Sequence, residues 1–342
     1  MLRVGIVGLG FMGRMHLNCW NRQKDAKVVA AFDIDPNIQK KASELIGNIK
    51  GQGQPLDLKS IQFYSNYDEF LRSSGIDAVS ITTPTWLHAD YTIKALEAGI
   101  HVLCEKPMAL TLEQCDRMIA AAGKTQKKLM IAHCIRFWPE YDAARQIIES
   151  GQYGRVRAAQ FRRFCSPPGW SSDNWLTNES KSGGMVLDLH IHDSDFIHSL
   201  FGLPKAVQTR TLTQNQSVWH IDTQYLYEDH AVITAQGSWL ASDSYTFGMD
   251  FTVFMEKATL IYDCRQTPAF RLFASRQEPV TPAVLPEDGY FHEIHYFKDW
   301  LAGTVDGTRI TPLQSRESVR LIEAEKQSAQ TGHIITLYTQ RA

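Results

Sequence analysis

The stretch VGIVGLGFMG, residues 4–13, constrains the fold of this chain more than any other. A short apolar strand runs into three glycines spaced GxGxxG and then into a helical pattern beginning near Met12. Each glycine has a separate physical task. Gly8 makes the tight turn, Gly10 lets a pyrophosphate approach the backbone, and Gly13 lets helix and strand pack closely. The start of the following helix leaves amide groups free to meet phosphate, with Phe11 and Met12 in its first turn. Asp33 closes the next apolar run, KVVAAFD, where a carboxylate can accept both ribose hydroxyls and repel a 2′-phosphate. The motif therefore predicts a dinucleotide, NAD in preference to NADP.

The surrounding pattern agrees. LRVGIVG, KVVAAFD, DAVSITT, HVLCEK and KLMIAHC read as strands, and their near-continuous apolar character suits a parallel sheet buried on both faces. Helical patterns fall between them at Met12–Asn21, Pro36–Ile46, Trp86–Glu97 and Leu112–Gly123, the last with Thr111 as N-cap. Gly47 to Ser60, rich in Gly and Gln, reads as a surface loop. Past Phe137 the pattern changes. A helix at Glu140–Glu149 and the strand VRAAQFRRF lead to a Pro/Gly/Trp/Ser loop over 166–183. After Lys205 strands dominate, and two helices follow near Tyr290–Leu301 and Gln314–Ala329. The expected architecture is a doubly wound parallel α/β domain over 1–134. A second α+β domain over 135–342 follows, with a large, mostly antiparallel open-faced sheet. Its C-terminal helix is free to pack back on the first domain.

Composition narrows the function classes. The chain has 342 residues, 44% of them hydrophobic and 21% charged, with a net charge of −2. That balance offers no basic footprint for nucleic acid or anionic membrane. No apolar run approaches membrane-spanning length. MLRVGIVGLG lacks a basic leader and a cleavage site and reads as a first strand rather than a secretory signal. Six scattered cysteines with no CxxC pair suit reduced thiols in a cytoplasmic protein.

Three segments carry side chains suited to chemistry. TTPTWLH, with Thr83, Pro84 and His88, and HVLCEKP, with Glu105 and Lys106, follow strands at their carboxyl ends, where ligands bind in open α/β sheets. Lys106 precedes Pro107, which restricts its backbone and opens the way to a cis peptide. A desolvated ammonium there suits proton transfer, and a surface pairing with Glu105 is the alternative. His88 either borders the cofactor or caps its helix. The third segment, GGMVLDLHIHDSDFIH (183–198), holds three aspartates and three histidines. On a continuous helix Asp188, His192 and Asp195 stand at i, i+4 and i+7 and share one face, so Asp188 can fix the tautomer of His192. His190 and His192 diverge on a helix, unlike the paired ligands of HExxH, so no metal is expected. His190 could face the cleft or a partner subunit, and His198 reads as structural.

The combination of GLGFMG, TTPTWLH, AGIHVLCEKPMALT, IRFWPEY, ESGQYGRV and GGMVLDLHIHDSDFIHSLFG, in this order over the first two-thirds of the chain, resembles the glucose–fructose oxidoreductase / inositol 2-dehydrogenase (Gfo/Idh/MocA) family. The resemblance implies a Rossmann domain followed by an open-faced α/β domain. It also implies nicotinamide-dependent oxidation or reduction of a sugar, polyol or related alcohol. The catalytic group it implies is Lys106 with Asp188 and His192. Thr85 stands where the family often has asparagine. A homodimer or homotetramer formed through the open sheet face is also implied. Arg136 of IRFWPEY could bind a substrate oxygen or bridge the domains, Asp195 could orient substrate or pair with a basic neighbour, and Trp170 and Trp175 could stack on a sugar or serve as packing anchors. Two rival functions stay open at this point, a glycosidase using transient oxidation by tightly held NAD and a non-catalytic NAD-responsive regulator.

Overall fold

The computed structural model describes residues 1–41, 58–169, 172–229, 231–245 and 247–337. Most of the expected Gly47–Ser60 loop, the end of the Pro36–Ile46 helix and Trp170 lie outside these residues. The chain divides into two compact units, one made of 1–134 with 289–316, the other of 135–288 with 317–342.

The first unit is built on six parallel strands: β1 (Leu2–Val7), β2 (Ala26–Phe32), β3 (Gln62–Tyr64), β4 (Ala78–Ile81), β5 (His101–Glu105) and β6 (Leu129–Ala132). Their order across the sheet is β3-β2-β1-β4-β5-β6. The order reverses between β1 and β4, so the loops after β1, β4 and β5 open at the topological switch point. Val4, Ile6, Val7, Val79, Ile81, Val102 and Leu103 are fully buried, as strands covered on both faces require. The helices Phe11–Asn21, His88–Glu97 and Leu112–Thr125 lie close to their expected spans. Thr111 caps the last, accepting from the Gln114 amide at 3.2 Å. Two elements lacked a readable pattern in the sequence. One is the three-residue edge strand β3, too short for alternation to register. The other is the helix Tyr67–Ser73, whose capping residue Asn66 accepts from Glu69 N at 2.9 Å. The helix Gly289–Ala302 belongs to this unit, where Phe297 meets Trp20 edge-on with ring centroids 6.4 Å apart.

The second unit carries eight strands: β7 (Val156–Phe164), β8 (Ala206–Gln214), β9 (Ser217–Leu226), β10 (Val232–Ser238), β11 (Gly248–Met255), β12 (Ala258–Asp263), β13 (Phe270–Ala274) and β14 (Ile335–Thr336). They run in the order β13-β12-β11-β7-β10-β9-β8-β14, and β7 with β10 is the parallel pair in an otherwise antiparallel sheet. Alternation along the strands separates two faces. Phe161, Ile221, Tyr225, Ile233 and Phe251 point under helices and are buried. Tyr141, Phe196 and Phe251 pack edge to face there, with centroids 4.9 Å apart in the Tyr141–Phe196 and Tyr141–Phe251 pairs. Gln160, Val232 and Phe254 lie on the opposite face and are exposed. Among the described residues, no helix is long and apolar enough to cross a membrane.

Candidate functional site

In the first unit the glycine turn has the geometry a dinucleotide needs. A Cβ on Gly13 would lie 1.9 Å from the Gly8 carbonyl oxygen, so no side chain is possible where the helix meets the strand. A Cβ on Gly10 would meet nothing within 4 Å, which leaves the helix N-terminus open to an incoming group. Gly10 caps that helix without a side-chain hydrogen bond, and its first turn holds no acidic residue. Its amides and dipole therefore favour an anion. Thr82 donates its hydroxyl to the Gly8 carbonyl at 2.7 Å and ties the turn to the loop after β4. Asp33 Oδ2 accepts from Leu9 N at 2.8 Å and Oδ1 from Asp35 N at 2.9 Å. The carboxylate is thus aimed at the turn, with lone pairs left on both oxygens for ribose hydroxyls. Phe11 and Met12 are half-buried in the first helical turn. These residues fit NAD, with phosphates at the glycine turn and ribose at Asp33.

The loops after β4 and β5 are joined from inside. The Lys106–Pro107 peptide is cis. Glu105 is buried; its Oε1 stands 2.9 Å from His16 Nε2 and its Oε2 accepts the Lys106 amide at 3.1 Å. Burial alone would raise the Glu105 pKa. The hydrogen bond and charge of His16, with the nearby Lys106 charge, outweigh it and hold the carboxyl below its ordinary value. Glu105, expected among the cofactor contacts, is thus bound to protein groups. His88 is also buried, with Nδ1 2.8 Å from the Pro107 carbonyl and Nε2 2.8 Å from the Thr83 carbonyl. Burial drives its pKa down against those two carbonyls. Thr83, Pro84 and Lys106 remain partly exposed. Thr85, at the asparagine position of the family motif, is buried at the start of a 3₁₀ turn, Thr85–Leu87.

In the second unit the stretch from Gly183 departs from the continuous α-helix expected. Gly183 and Gly184 both have positive φ, and a Cβ on Gly183 would fall 2.3 Å from Leu187 Cδ1. A π-helical turn, Val186–His190, follows, and then the α-helix Ile191–Phe201. The wide turn shifts the register between Asp188 and Asp195. From Ser182 to Ile197, Asp188 and His192 alone are partly exposed.

The other charged groups of the stretch are committed to partners inside the unit. Asp195, expected to face substrate with His192, is fully buried. It accepts from Arg136 Nε and Nη2, each at 2.8 Å, and from Ser318 Oγ at 2.7 Å. Arg136, expected as a substrate contact, thus forms a bidentate pair with Asp195. Asp193 pairs in the same way with Arg163, at 3.0 and 3.1 Å. His190 does not face a cleft; its Nε2 is buried 2.9 Å from Glu325 Oε2. Glu325 also accepts from Tyr225 OH at 2.9 Å and Ser194 Oγ at 3.1 Å. His198 Nδ1 lies 3.4 Å from Ser318 Oγ. Trp175 is partly exposed in a 3₁₀ turn, Ser172–Thr177. Burial and the Asp188 charge push the neighbouring Cys165 thiol up to about 12.

Two participants escaped the sequence reading. Glu325 had a signal, a carboxylate one turn after the buried apolar Leu321 and Ile322 on the helix Pro312–Thr331. His16 had none, since nothing local points from it to Glu105. Among the described residues, one set of side chains has ligand-type atoms close enough to share a metal ion: His16, Glu105 and Glu293, all buried, with those atoms within 4.8 Å of one another. None of these belongs to the histidine-rich stretch.

Comparison with known proteins supplies a family. The 2,7-anhydro-N-acetylneuraminate hydratase of Escherichia coli (strain K12) is 28% identical over 212 residues, 60% of this chain and 52% of that protein. The inositol 2-dehydrogenase of Rhizobium meliloti (strain 1021) is 31% identical over 203 residues, 59% of this chain and 55% of that protein. The chain thus matches about half the length of these curated relatives. The solved structure of a levoglucosan dehydrogenase, in complex with NADH and levoglucosan, superposes with a TM-score of 0.83 at 21% identity, covering 99% of this chain and 100% of that one. Residues 2–133 match the oxidoreductase family with an NAD-binding Rossmann fold, and residues 141–261 match the GFO/IDH/MocA C-terminal domain. The chain belongs to the Gfo/Idh/MocA oxidoreductase family.

Proposed function

We propose that this protein is an NAD-dependent dehydrogenase acting on a CH–OH carbon of a sugar, inositol or related polyol. The observation that carries the reading is the burial pattern of residues 182–197. Asp193 and Asp195 are fully buried in bidentate pairs with Arg163 and Arg136, and Asp188 and His192 keep access to the surface. An acid–base pair needs that access, and a structural pair does not. Bound NAD supplies the carbon that accepts hydride. In the oxidative direction His192 takes the hydroxyl proton, Asp188 orients the His192 ring, and the Lys106 ammonium stabilises the developing alkoxide. Asp33 favours NAD by repelling a 2′-phosphate. The sugar and inositol relatives support the substrate class.

The test is an NAD+-reduction screen over inositols, aldoses, sugar acids and deoxysugars, run beside NADP+. The expected result is net NADH with at least one member, and loss of turnover in Lys106→Ala and His192→Ala. Near-normal turnover in both variants would remove the assignment. The hydratase relative favours a second reading, in which tightly held NAD is reduced and reoxidised within one cycle. That chemistry would convert substrate with no net NADH, and NAD would remain with the protein through purification.

The exposed sheet face with Val232 and Phe254 supports a homodimer or homotetramer built across it. A monomer by light scattering at working concentration would exclude that assembly. All six cysteines are free thiols, five of them buried, which supports placement in a reducing compartment such as the cytoplasm.

A further inference from the structure

Lys106 is held on both sides by buried histidines. Its amide is bound by Glu105, which His16 engages from the helix that follows the glycine turn. The residue after it, Pro107, has its carbonyl 2.8 Å from His88 Nδ1. His88 Nε2 lies equally close to the Thr83 carbonyl. Carbonyl oxygens only accept, and a neutral imidazole has one N–H, so a neutral His88 can satisfy one of these two contacts. Glu105 and Lys106, of opposite charge, are the ionisable groups that act on the ring, and burial favours its neutral form. The two carbonyls differ in surroundings. The Pro107 contact is fully buried and the Thr83 contact only partly. A buried acceptor left without a donor is the more expensive choice, because water cannot replace the lost bond.

We propose that His88 is a positioning residue that uses its Nδ1–H to hold the Pro107 carbonyl and thereby sets the backbone that presents Lys106. The inference rests on the reading of Lys106 as the lysine at the reacting carbon. The Thr83 carbonyl is then the contact that the ring can lose without harm to Lys106.

Two substitutions separate the contacts. In His88→Asn the amide nitrogen falls near the former Nδ1 and can still donate to Pro107. In His88→Gln it falls near the former Nε2 and reaches Thr83 instead. With a substrate from the screen, His88→Gln and His88→Ala should lower kcat by about 10–100-fold, since small displacements of a reacting group have effects of that size. His88→Asn should recover most of that loss. The NAD+ dissociation constant, read by calorimetry, should move by less than about threefold in all three, because the glycine turn and Asp33 are untouched. Equal kcat in the Asn and Gln variants, or kcat unchanged while only melting temperature falls, would overturn the proposal. A readout independent of turnover is the nitrogen NMR spectrum of His88 in the wild-type protein without substrate. The Nδ1–H tautomer is expected at neutral pH, and either the Nε2–H tautomer or the imidazolium would overturn it. Lys106→Ala run in parallel keeps the two readings apart. If it retains turnover, the function assigned to Lys106 fails. If it loses turnover while His88→Gln does not, the positioning role alone fails.

Discussion

The two sides of the helical stretch from Ser182 to Ile197 hold the same residue types under opposite conditions. On the inner side Asp193 and Asp195 face Arg163 and Arg136 in bidentate pairs, and His190 faces Glu325. On the outer side Asp188 and His192 keep part of their surface exposed. The two inner aspartates have their charge neutralised and their acceptors occupied, so they serve the fold. The outer pair can still exchange a proton with something that arrives. Residue type alone therefore does not separate structural from chemical groups in this segment; burial and pairing do.

The sharpest way to break this contrast is to remove an outer group. With a substrate identified, His192→Ala should lower kcat by about 10²–10⁴-fold, the range for a lost general base. Its melting temperature should move by only about 1–2 °C, as for a substitution away from the core. Asp188→Asn should also lower kcat, by a smaller factor, since it acts through the orientation of His192. A large fall in melting temperature with activity retained would show that the outer pair is structural after all.

An inner group should behave the other way. Removing one partner of a buried pair strands the other, so Arg163→Met alone should destabilise the protein by about 3–5 kcal/mol. The double variant Arg163→Met with Asp193→Leu should recover most of that loss, because a well-packed apolar pair replaces the ionic one without a stranded charge. Denaturant melts of the two variants measure the difference directly. In the fraction that stays folded, kcat should remain within a few-fold of wild type. If the double variant stays as unstable as the single one, the pair holds specific geometry that apolar packing cannot replace.

How far these sides could be read in advance depends on what spacing can carry. The glycine turn, the strand it follows and Asp33 are local, so the parallel sheet and the geometry of the turn were legible. The cis peptide at Lys106–Pro107 was foreseeable from the dipeptide. The second sheet was legible as strands, through alternation, but not as an order, because β7 pairs in parallel with β10 across about seventy intervening residues. Of the two readings of Asp195, pairing with a basic neighbour is the one the structure shows, in its bidentate contact with Arg136. The π turn at Val186–His190 shifts the register between Asp188 and Asp195, but His192 and Asp195 share one α-helix, so spacing could not separate them. Arg136 is 59 residues from Asp195 in sequence, and nothing local announces that pair. His88 and Glu105 were picked out as residues but not as inward-facing ones, since their partners are backbone carbonyls and a histidine on another helix.

The smallest expected effect separates the two sides by pH. His198, one residue past the 182–197 stretch and beside Ser318, is partly exposed, and burial lowers its pKa, with the Arg136 and Arg320 charges acting in the same direction and Asp195 and Glu317 opposing. The unfolded chain therefore takes up this proton more readily than the folded one. Stability contributed at neutral pH should fall as pH drops through the ordinary histidine value near 6.5 and level off below the folded-state pKa. His88, His101 and His220 are shifted in the same direction and add to the slope. His198→Gln should flatten the dependence of melting temperature on pH between about pH 7 and 5, by on the order of 1–2 °C. It should leave the pH dependence of kcat in place, whereas His192→Gln should change that dependence. If both variants alter the pH dependence of kcat, the two histidines act as one network, and the contrast between the outer pair and its neighbours does not hold.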